Sequence, residues 1–498
     1  MTTAYLSNDS FAHALGKSAV EIALATHGID CVDVGSYGLA WLEPLIEFDS
    51  PDGRIAFGPV SEEMVPGLVE AIKSKDAIEQ HHAYLGDINR HPFLKPQQRL
   101  VFRNVGYASL TDTPTYATLK SVLERNPRDL IDELQTAGLR GRGGAGFPAH
   151  IKWRTVAETP ADQRYIVCNA DEGDSGTFSD RMLMEGDPDA LIEGMSIAGY
   201  ACGASHGYIY LRSEYPFAMH ELKRSISRAY EENLLGNNIF GSEFSFDLQL
   251  FLGAGAYICG EETSLLESLE GKRGQIRVKP PLPAISGLFD KPTLVHNVIT
   301  LASVPSLFDL GGDEYGALGV APSCGTIPFQ IAGNVKYGGL IELEFGHTVR
   351  ELVEDYGGGT RSGRPFRCVQ IGGPLGAYLS EAELDTPLTY EAMQAIGAGI
   401  GHGGLVVFDD TVDLREQAEY AFEFCEIESC GKCTPCRIGS VRGKELVQGL
   451  QNTGNVNADI QLIRELCDVM ENASLCQMGG MTPIPVRSAL ERFPEDFR

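Results

Sequence analysis

Residues 164–174 read RYIVCNADEGD. Tyr165, Ile166, Val167 and Cys168 make a short β-prone run, which breaks into a polar turn holding Asn169, Asp171, Glu172 and Asp174. In an open parallel sheet, ligands sit at the carboxyl ends of the strands. Asn169 and Asp171 are suited there to ring nitrogens, carbonyls or ribose hydroxyls. A solvated acidic turn is the competing reading.

The same pattern extends outward from this stretch. GYIYLR (207–212) and FDLQLFL (246–252) are further strands, and ALIEGMSIAGYACG (190–203) and FAMHELKRSISRAYEENLL (217–235) read as helices between them. Strands alternating with helices predict an α/β layered domain with a largely parallel sheet over residues 116–322. Short strands with glycine turns follow, GTIPFQIAG, GLIELEFG, FRCVQIGG and GGLVVFDD, with one helix, TVRELVEDYGG, among them. They predict a small α+β unit over 323–408. Residues 409–498 read as helical. At the other end, residues 1–92 read as a small α/β unit. It comprises a helix (11–28), a strand (29–36), a hairpin around Pro51-Asp52-Gly53 and a closing helix (61–76) with Ser61 as N-cap. Residues 93–115 are polar and irregular, a linker.

The chain has 498 residues, a length that suits about three domains or more. Its formal charge of −28 argues against nucleic acid or an anionic membrane surface as a partner. No apolar run approaches the roughly 20 residues needed to span a bilayer, and MTTAYLSNDS lacks the features of a signal peptide. Twelve cysteines in a chain this long fit a reducing cytoplasm better than a disulfide framework.

Three of those cysteines form C-x-x-C-x-x-C, Cys430, Cys433 and Cys436, and Cys476 follows forty positions on. Three thiolates at this spacing wrap one face of a cubane cluster and a distant fourth closes it. Zinc is the alternative, although zinc sites usually show two C-x-x-C pairs. Lys432 and Arg437 would offset negative charge. Cys31, Cys168, Cys202, Cys259, Cys324, Cys368, Cys425 and Cys467 have no such spacing and read as core thiols.

Gly141-Arg142-Gly143-Gly144-Ala145-Gly146 matches G-x-G-x-x-G, but DLIDELQTAGLR before it reads as a helix, so this is not a standard dinucleotide turn. Its glycines still let backbone N–H groups approach a phosphate or a flat ring, with Arg140, Arg142 and Lys152 adding positive charge. A tight interdomain turn is the alternative. Gly253–Thr263, GAGAYICGEET, follows a strand and opens a helix. Glu261 and Glu262 there suit helix capping or hydroxyl recognition and disfavour a phosphate.

RGRGGAGFPAHIKW, CNADEGDSGTFSDR, GAGAYICGEETSLLESLEGK and SCGKCTPCRIG with SLCQMGG together resemble the flavin-bearing, NADH-oxidising subunit of respiratory complex I. The resemblance extends to the diaphorase subunits of NAD-reducing hydrogenases and the beta subunit of soluble NAD-dependent formate dehydrogenases, and covers residues 115–498. It implies a Rossmann-like FMN domain, a ubiquitin-like β-grasp domain and a helical bundle with a [4Fe–4S] cluster. Carried over, Gly141, Arg142, Gly143, Gly144, Lys152, Asn169, Asp171, Gly260, Glu261 and Asn297 would hold FMN. Phe147, Lys152, Asp174, Tyr257, Glu262 and Lys279 would face NAD(H), and His296 stands beside Asn297 in the same cofactor-binding segment. Cys430, Cys433, Cys436 and Cys476 would bind the cluster. Three positions depart from the family's usual residues: Asp174 for Glu, Leu282 for Phe and His296 for Asn.

Residues 1–92 resemble the thioredoxin-like domain that normally binds [2Fe–2S] through G-C-x-G-x-C. Here Gly35-Ser36-Tyr37-Gly38-Leu39-Ala40 puts Ser36 and Ala40 at the cysteine positions, so the domain is expected to lack a cluster. The fused domain favours the formate dehydrogenase or hydrogenase branch. The resemblance thus implies a cytoplasmic NAD(H):FMN oxidoreductase subunit, in formate dehydrogenase first. Its partners would be a [2Fe–2S] thioredoxin-like subunit and a large, molybdenum-containing iron–sulfur subunit. The complex I and hydrogenase subunits are the nearest alternatives, and a zinc-stabilised nucleotide-binding scaffold without turnover is the rival from another class.

Overall fold

The computed structural model describes residues 3–51, 53–74, 78–450 and 454–498. Its centre is a parallel sheet of β6 (Tyr165–Ala170), β7 (His206–Leu211), β8 (Asp247–Leu252) and β9 (Thr293–Asn297), in spatial order β8-β7-β6-β9. Side chains alternate across it. Ile166, Cys168, Ile209, Leu211 and Leu294 enter one core, and Val167, Tyr210 and Val295 enter another.

The first core is closed by α4 (Ala117–Val122), α5 (Pro127–Ala137), α6 (Ala149–Glu158), α8 (Pro188–Cys202), α9 (Pro216–Glu231) and α11 (Val298–Leu310). The second is closed by α10 (Glu262–Leu269) and by the C-terminal helices α14 (Leu414–Glu428), α15 (Thr434–Gly449), α16 (Val456–Ala473), α17 (Gln477–Met481) and α18 (Pro483–Arg492). The sheet and the cysteine-bearing bundle therefore share one hydrophobic core. Helix α7 (Ser179–Gly186) follows the 171–178 turn, and α12 (Gly312–Gly316) packs on α5.

The following unit pairs β13 (Gly339–Glu344), β12 (Thr326–Gly333), β16 (Gly404–Asp409), β14 (Phe366–Ile371) and β15 (Ala377–Leu379) in that spatial order. Strands β12 and β16 run parallel and the other pairs antiparallel. A two-residue ladder, β10 (Gly319–Val320) with β11 (Ser323–Cys324), leads in, and α13 (Tyr390–Ala395) precedes β16. The helix expected over TVRELVEDYGG is a π-helical turn at Glu351–Tyr356.

At the N-terminus β1 (Thr3–Ser7) pairs parallel with β2 (Asp30–Val34) and antiparallel with β3 (Ile46–Ser50). Strand β4 (Gly53–Phe57) completes a hairpin with β3, β5 (Tyr84–Gly86) adds the edge, and α3 (Val65–Ser74) follows β4. Asp52 of the expected turn, and Lys75 and Asp76 of the expected helix, lie outside the described residues. The single helix expected over 11–28 is two, α1 (Ser10–Ala14) and α2 (Lys17–Thr26), because Gly16 sits at φ +104° between them. Ser61 heads a 3₁₀ turn, Glu62–Met64, rather than the α-helix itself.

Residues 93–115 are irregular, as expected, but they are no polar tether. Phe93, Leu94, Val101, Phe102, Val105 and Leu110 are buried. The Glu342 carboxylate accepts the backbone N–H groups of Leu100, Val101 and Phe102 at 3.0 Å each. One acceptor thus orders a segment that has no secondary structure of its own. Among the described residues no helix is long and apolar enough to cross a membrane.

Ser36 is buried, donates to Glu43 Oε1 at 2.7 Å and accepts from the Gly38 N–H at 3.1 Å. The loop around it is wedged against the rest of the chain. A Cβ on Gly35 would lie 2.8 Å from Gly186 Cα, and Gly38 O accepts from the Leu340 N–H. Ser36 and Ala40 supply no thiolates, and Cys31 is the lone cysteine of this unit. We expect about four irons per chain rather than six. Iron analysis and EPR after dithionite reduction check this, and a rhombic [2Fe–2S] signal from the isolated chain would contradict it.

Candidate functional site

The carboxyl ends of β6 and β9 lie side by side, with Asn169 opposite Asn297 in register. The glycine loop approaches this edge from the turn between α5 and α6, so a helix does precede it, as its sequence suggests. Gly141 N–H donates to Phe147 O, and Gly144 bridges to Gly401. A Cβ on Gly143 would meet Asn297 Cβ at 2.8 Å, too close for any other residue. Gly144 has φ +115°, and a Cβ there would find only the Gly401 backbone, at 3.9 Å. The loop thus presents backbone along the sheet edge.

Asn297 caps α11, accepting from Ile299 and Thr300 N–H, and its amide donates to Asp180 Oδ2 at 2.6 Å. The Asn169 amide donates to Gly260 O at 2.8 Å. Asp171 Oδ2 is buried and has no hydrogen-bond partner among the described residues. Burial outweighs the attraction of Arg212 and pushes this carboxyl up to about 7. Gly260 faces it, and a Cβ there would stand 3.7 Å from that oxygen. An unpaired buried acceptor beside a glycine fits a ligand that brings its own donor.

Four charged groups form a second cluster. Lys152 Nζ lies 3.1 Å from Glu262 Oε2, and Lys279 Nζ lies 2.9 Å from Glu261 Oε1 and 3.3 Å from Glu262 Oε1. Although burial works the other way, the two lysines hold Glu262 below the usual carboxylate range. Glu261 Oε2 is the N-cap acceptor of α10, bonded to Thr263 and Ser264 N–H at 2.9 Å. The capping reading of Glu261 is therefore correct, and the acids are charge-balanced rather than a bare negative patch. Phe147 and Leu282 are exposed at the surface, offering apolar faces. Asp174 accepts from Tyr257 Oη–H at 2.7 Å, and the Tyr257 ring packs edge-on to Phe424 of α14.

Three expected contributors point elsewhere. The Arg142 guanidinium is fully buried, donates to Thr326 O and Cys324 O and stacks on Phe345. It fastens the loop to the β12 unit and adds no charge at the sheet edge. Arg140 is held likewise by Glu391 and Tyr390. His296, one residue before Asn297, projects to the opposite face of β9, where its Nε2 accepts from Trp153 Nε1 at 3.0 Å. Strand alternation separates it from the site.

Sequence reasoning missed His402. It is buried in the 397–404 glycine run, with Nε2 3.0 Å from Asp180 Oδ1. Burial opposes its charge, but Asp180, Glu172 and Asp174 prevail and hold it up to about 9. Glu172 accepts from Asp180 and Arg181 N–H. A fixed cation thus secures the carboxylate on which Asn297 rests. A glycine-rich run with one histidine was the available signal.

The cysteines gather where the bundle meets the sheet. Cys433 is the N-cap of α15, Cys436 lies in its first turn, and Cys476 is the N-cap of α17. Gly479 packs α17 onto Cys436, with a Cβ there reaching 2.7 Å from Cys436 Cβ. Helix N-termini favour an anionic group between them. Lys432 Nζ donates to Ile276 O at 2.6 Å, tying the cysteine loop to the segment after α10. Glu428 Oε2 accepts from Tyr257 N–H at 3.0 Å, so the cluster region touches the 253–263 turn. None of the twelve cysteines forms a disulfide.

Residues 134–306 match the family described as the Nuo51 FMN-binding domain, and residues 416–498 the NADH-ubiquinone oxidoreductase-F iron-sulfur binding region. The chain is 43% identical over 409 residues to the HndC component of the NADP-reducing hydrogenase of Solidesulfovibrio fructosivorans, covering 81% of this chain and 83% of that one. It is 40% identical over 383 residues to the F component of the NADH-quinone oxidoreductase of Escherichia coli, covering 76% and 85%. A chain of the NAD+-reducing [NiFe]-hydrogenase, crystallised in the air-oxidised state, superposes with a TM-score of 0.71 at 29% identity, over 99% of this chain and 84% of that one. The chain belongs to the family of flavin subunits shared by complex I and the related diaphorases, NAD(P)-dependent oxidoreductase subunits that carry FMN and a [4Fe–4S] cluster.

Proposed function

We propose that this chain is the diaphorase subunit of an NAD-coupled complex whose partner subunit oxidises formate or hydrogen. The observation that carries this is the N-terminal unit. The superposition on the NAD+-reducing [NiFe]-hydrogenase chain extends over 99% of this protein, so it takes in the N-terminal unit as well as the flavin and cysteine-bearing parts. The β1-α-β2 unit followed by a hairpin and a helix supports a thioredoxin-like domain without cluster ligands. The β13-β12-β16-β14-β15 order supports a β-grasp domain over 323–408. The relatives' names, subunits of hydrogenase and quinone oxidoreductase, support other redox subunits as partners. Twelve cysteines without a disulfide suit a cytoplasmic setting.

In this reading Gly141, Gly143, Gly144, Asn169, Asp171, Gly260 and Asn297 hold FMN, with Asp171 accepting from the flavin's own donor. Lys152, Glu262, Lys279, Phe147, Tyr257 and Asp174 line the NAD(H) side, and Cys430, Cys433, Cys436 and Cys476 ligate the cluster. An FMN held there would supply hydride exchange with the nicotinamide and single-electron exchange with the cluster, in the direction of NAD+ reduction when the partner oxidises its substrate. The protein positions these groups, and its glycines keep side chains off the reacting face.

The purified complex is expected to contain molybdenum or tungsten if formate is the donor and nickel if hydrogen is. Metal analysis of co-purified subunits decides between them, and a partner with none of these metals would contradict both. NADH should be preferred to NADPH with ferricyanide as acceptor, because a 2′-phosphate would crowd Glu262. Glu262→Gln frees Lys152 and Lys279 and should raise the NADPH-to-NADH ratio of kcat/KM by about tenfold. An unchanged ratio would remove Glu262 from the ribose site. Cys433→Ala should lose the cluster yet keep NADH–ferricyanide activity, since the dye takes electrons from the flavin. Equal loss of both would make the cluster structural for the flavin domain.

A further inference from the structure

A further cysteine, Cys425, shares the core of the four proposed cluster ligands. Cys425, in the last turn of α14, stands outside the C-x-x-C-x-x-C motif, is fully buried, and has its Sγ 3.6 Å from Cys436 Sγ. Packing fixes it there. Phe422, one helical turn earlier on the same face, presses on α15, where a Cβ at Gly443 would overlap its ring at 2.3 Å. Met478 O lies farther from the Cys425 thiol, at 4.0 Å, and the Thr482 side chain also borders it.

A second donor converges on the same sulfur. Ser429 Oγ lies 3.1 Å from Cys436 Sγ and accepts the Gly431 N–H at 3.2 Å. A hydroxyl has a single proton, and with Gly431 on its oxygen that proton is free to point at sulfur. Four thiolates, one per iron, complete a cubane cluster, so a fifth thiol is not needed as a ligand.

We propose that Cys425 S–H and Ser429 O–H both donate to the Cys436 sulfur and together raise the reduction potential of the [4Fe–4S] cluster. The inference rests on Cys436 being a ligand. Reduction adds one electron to the cluster and its sulfurs, and donors to a more negative acceptor bind it more strongly, which favours the reduced form. Both protons remain on their own side chains. Cys425 and Ser429 are positioning residues that act through Cys436, and they make electron entry to the cluster easier at a given NADH/NAD+ poise.

The test is a potentiometric EPR titration of the whole complex, with iron counted in parallel. Cys425→Ala and Ser429→Ala should each lower the midpoint, reducing the ratio of reduced to oxidised cluster about tenfold at fixed potential, or about 59 mV for a one-electron couple. Iron should stay at about four per chain. Cys425→Ser keeps a donor and should fall between wild type and Cys425→Ala. The proposal is overturned if the midpoint holds in both Cys425 variants, or if both lose iron. Retention of a [4Fe–4S] signal by Cys436→Ala together with its loss in Cys425→Ala would exchange the two roles and overturn it as well. A wild-type complex without any [4Fe–4S] signal would refute the cluster assignment itself, a separate failure.

Discussion

A backbone loop can lie along the carboxyl edge of a parallel sheet only where neither side projects a side chain into the gap. Gly143 meets this condition against Asn297, where a Cβ would come within 2.8 Å, while a Cβ on Gly260 would make only ordinary contact with Asp171, at 3.7 Å. Between these points runs an edge lined by amides, a carboxyl and loop backbone, open to a flat or phosphorylated ligand. The surrounding structure serves this edge. Arg142 fastens the loop from behind, and the His402–Asp180 pair holds Asn297 in place.

The sheet's second face continues directly into the helices that carry the cysteines. Val167, Tyr210 and Val295 share a core with Phe422, Cys436 and Met470. The Glu428–Tyr257 and Lys432–Ile276 bonds cross the same junction. The sheet edge proposed for the flavin and the cysteine-bearing helices are therefore joined by one packed core. In the proposed assignment electrons would pass between them within this core, and cluster tuning by Cys425 would act in the same packed region.

Much of this was legible in the sequence because it was local. RYIVCNA, GYIYLR and FDLQLFL became β6, β7 and β8, and the helix before Gly141 set the glycine loop apart from a dinucleotide turn. What the sequence concealed was long-range. Arg142 looked like a site cation, yet its acceptors, Cys324 O and Thr326 O, lie 182 and 184 positions away. His402 gains meaning only beside Asp180, and Cys425 only once α14 packs on α15. The 93–115 segment looked like a linker because its order depends on distant partners, among them Glu342, Ser306 and Arg228.

The central claim is that Asp171, whose Oδ2 is buried and has no partner among the described residues, is kept for the flavin. Most core substitutions destabilise a fold and weaken its ligand together. Here the two effects should separate, because leucine removes an unsatisfied acceptor from the flavin-free protein. The decisive measurement is FMN affinity of the flavin-free Asp171→Leu chain together with its melting temperature. The account predicts FMN binding weaker by about 10- to 100-fold and a melting temperature equal to or above that of the flavin-free wild type. Wild-type FMN affinity, or a lowered melting temperature without flavin, would contradict it.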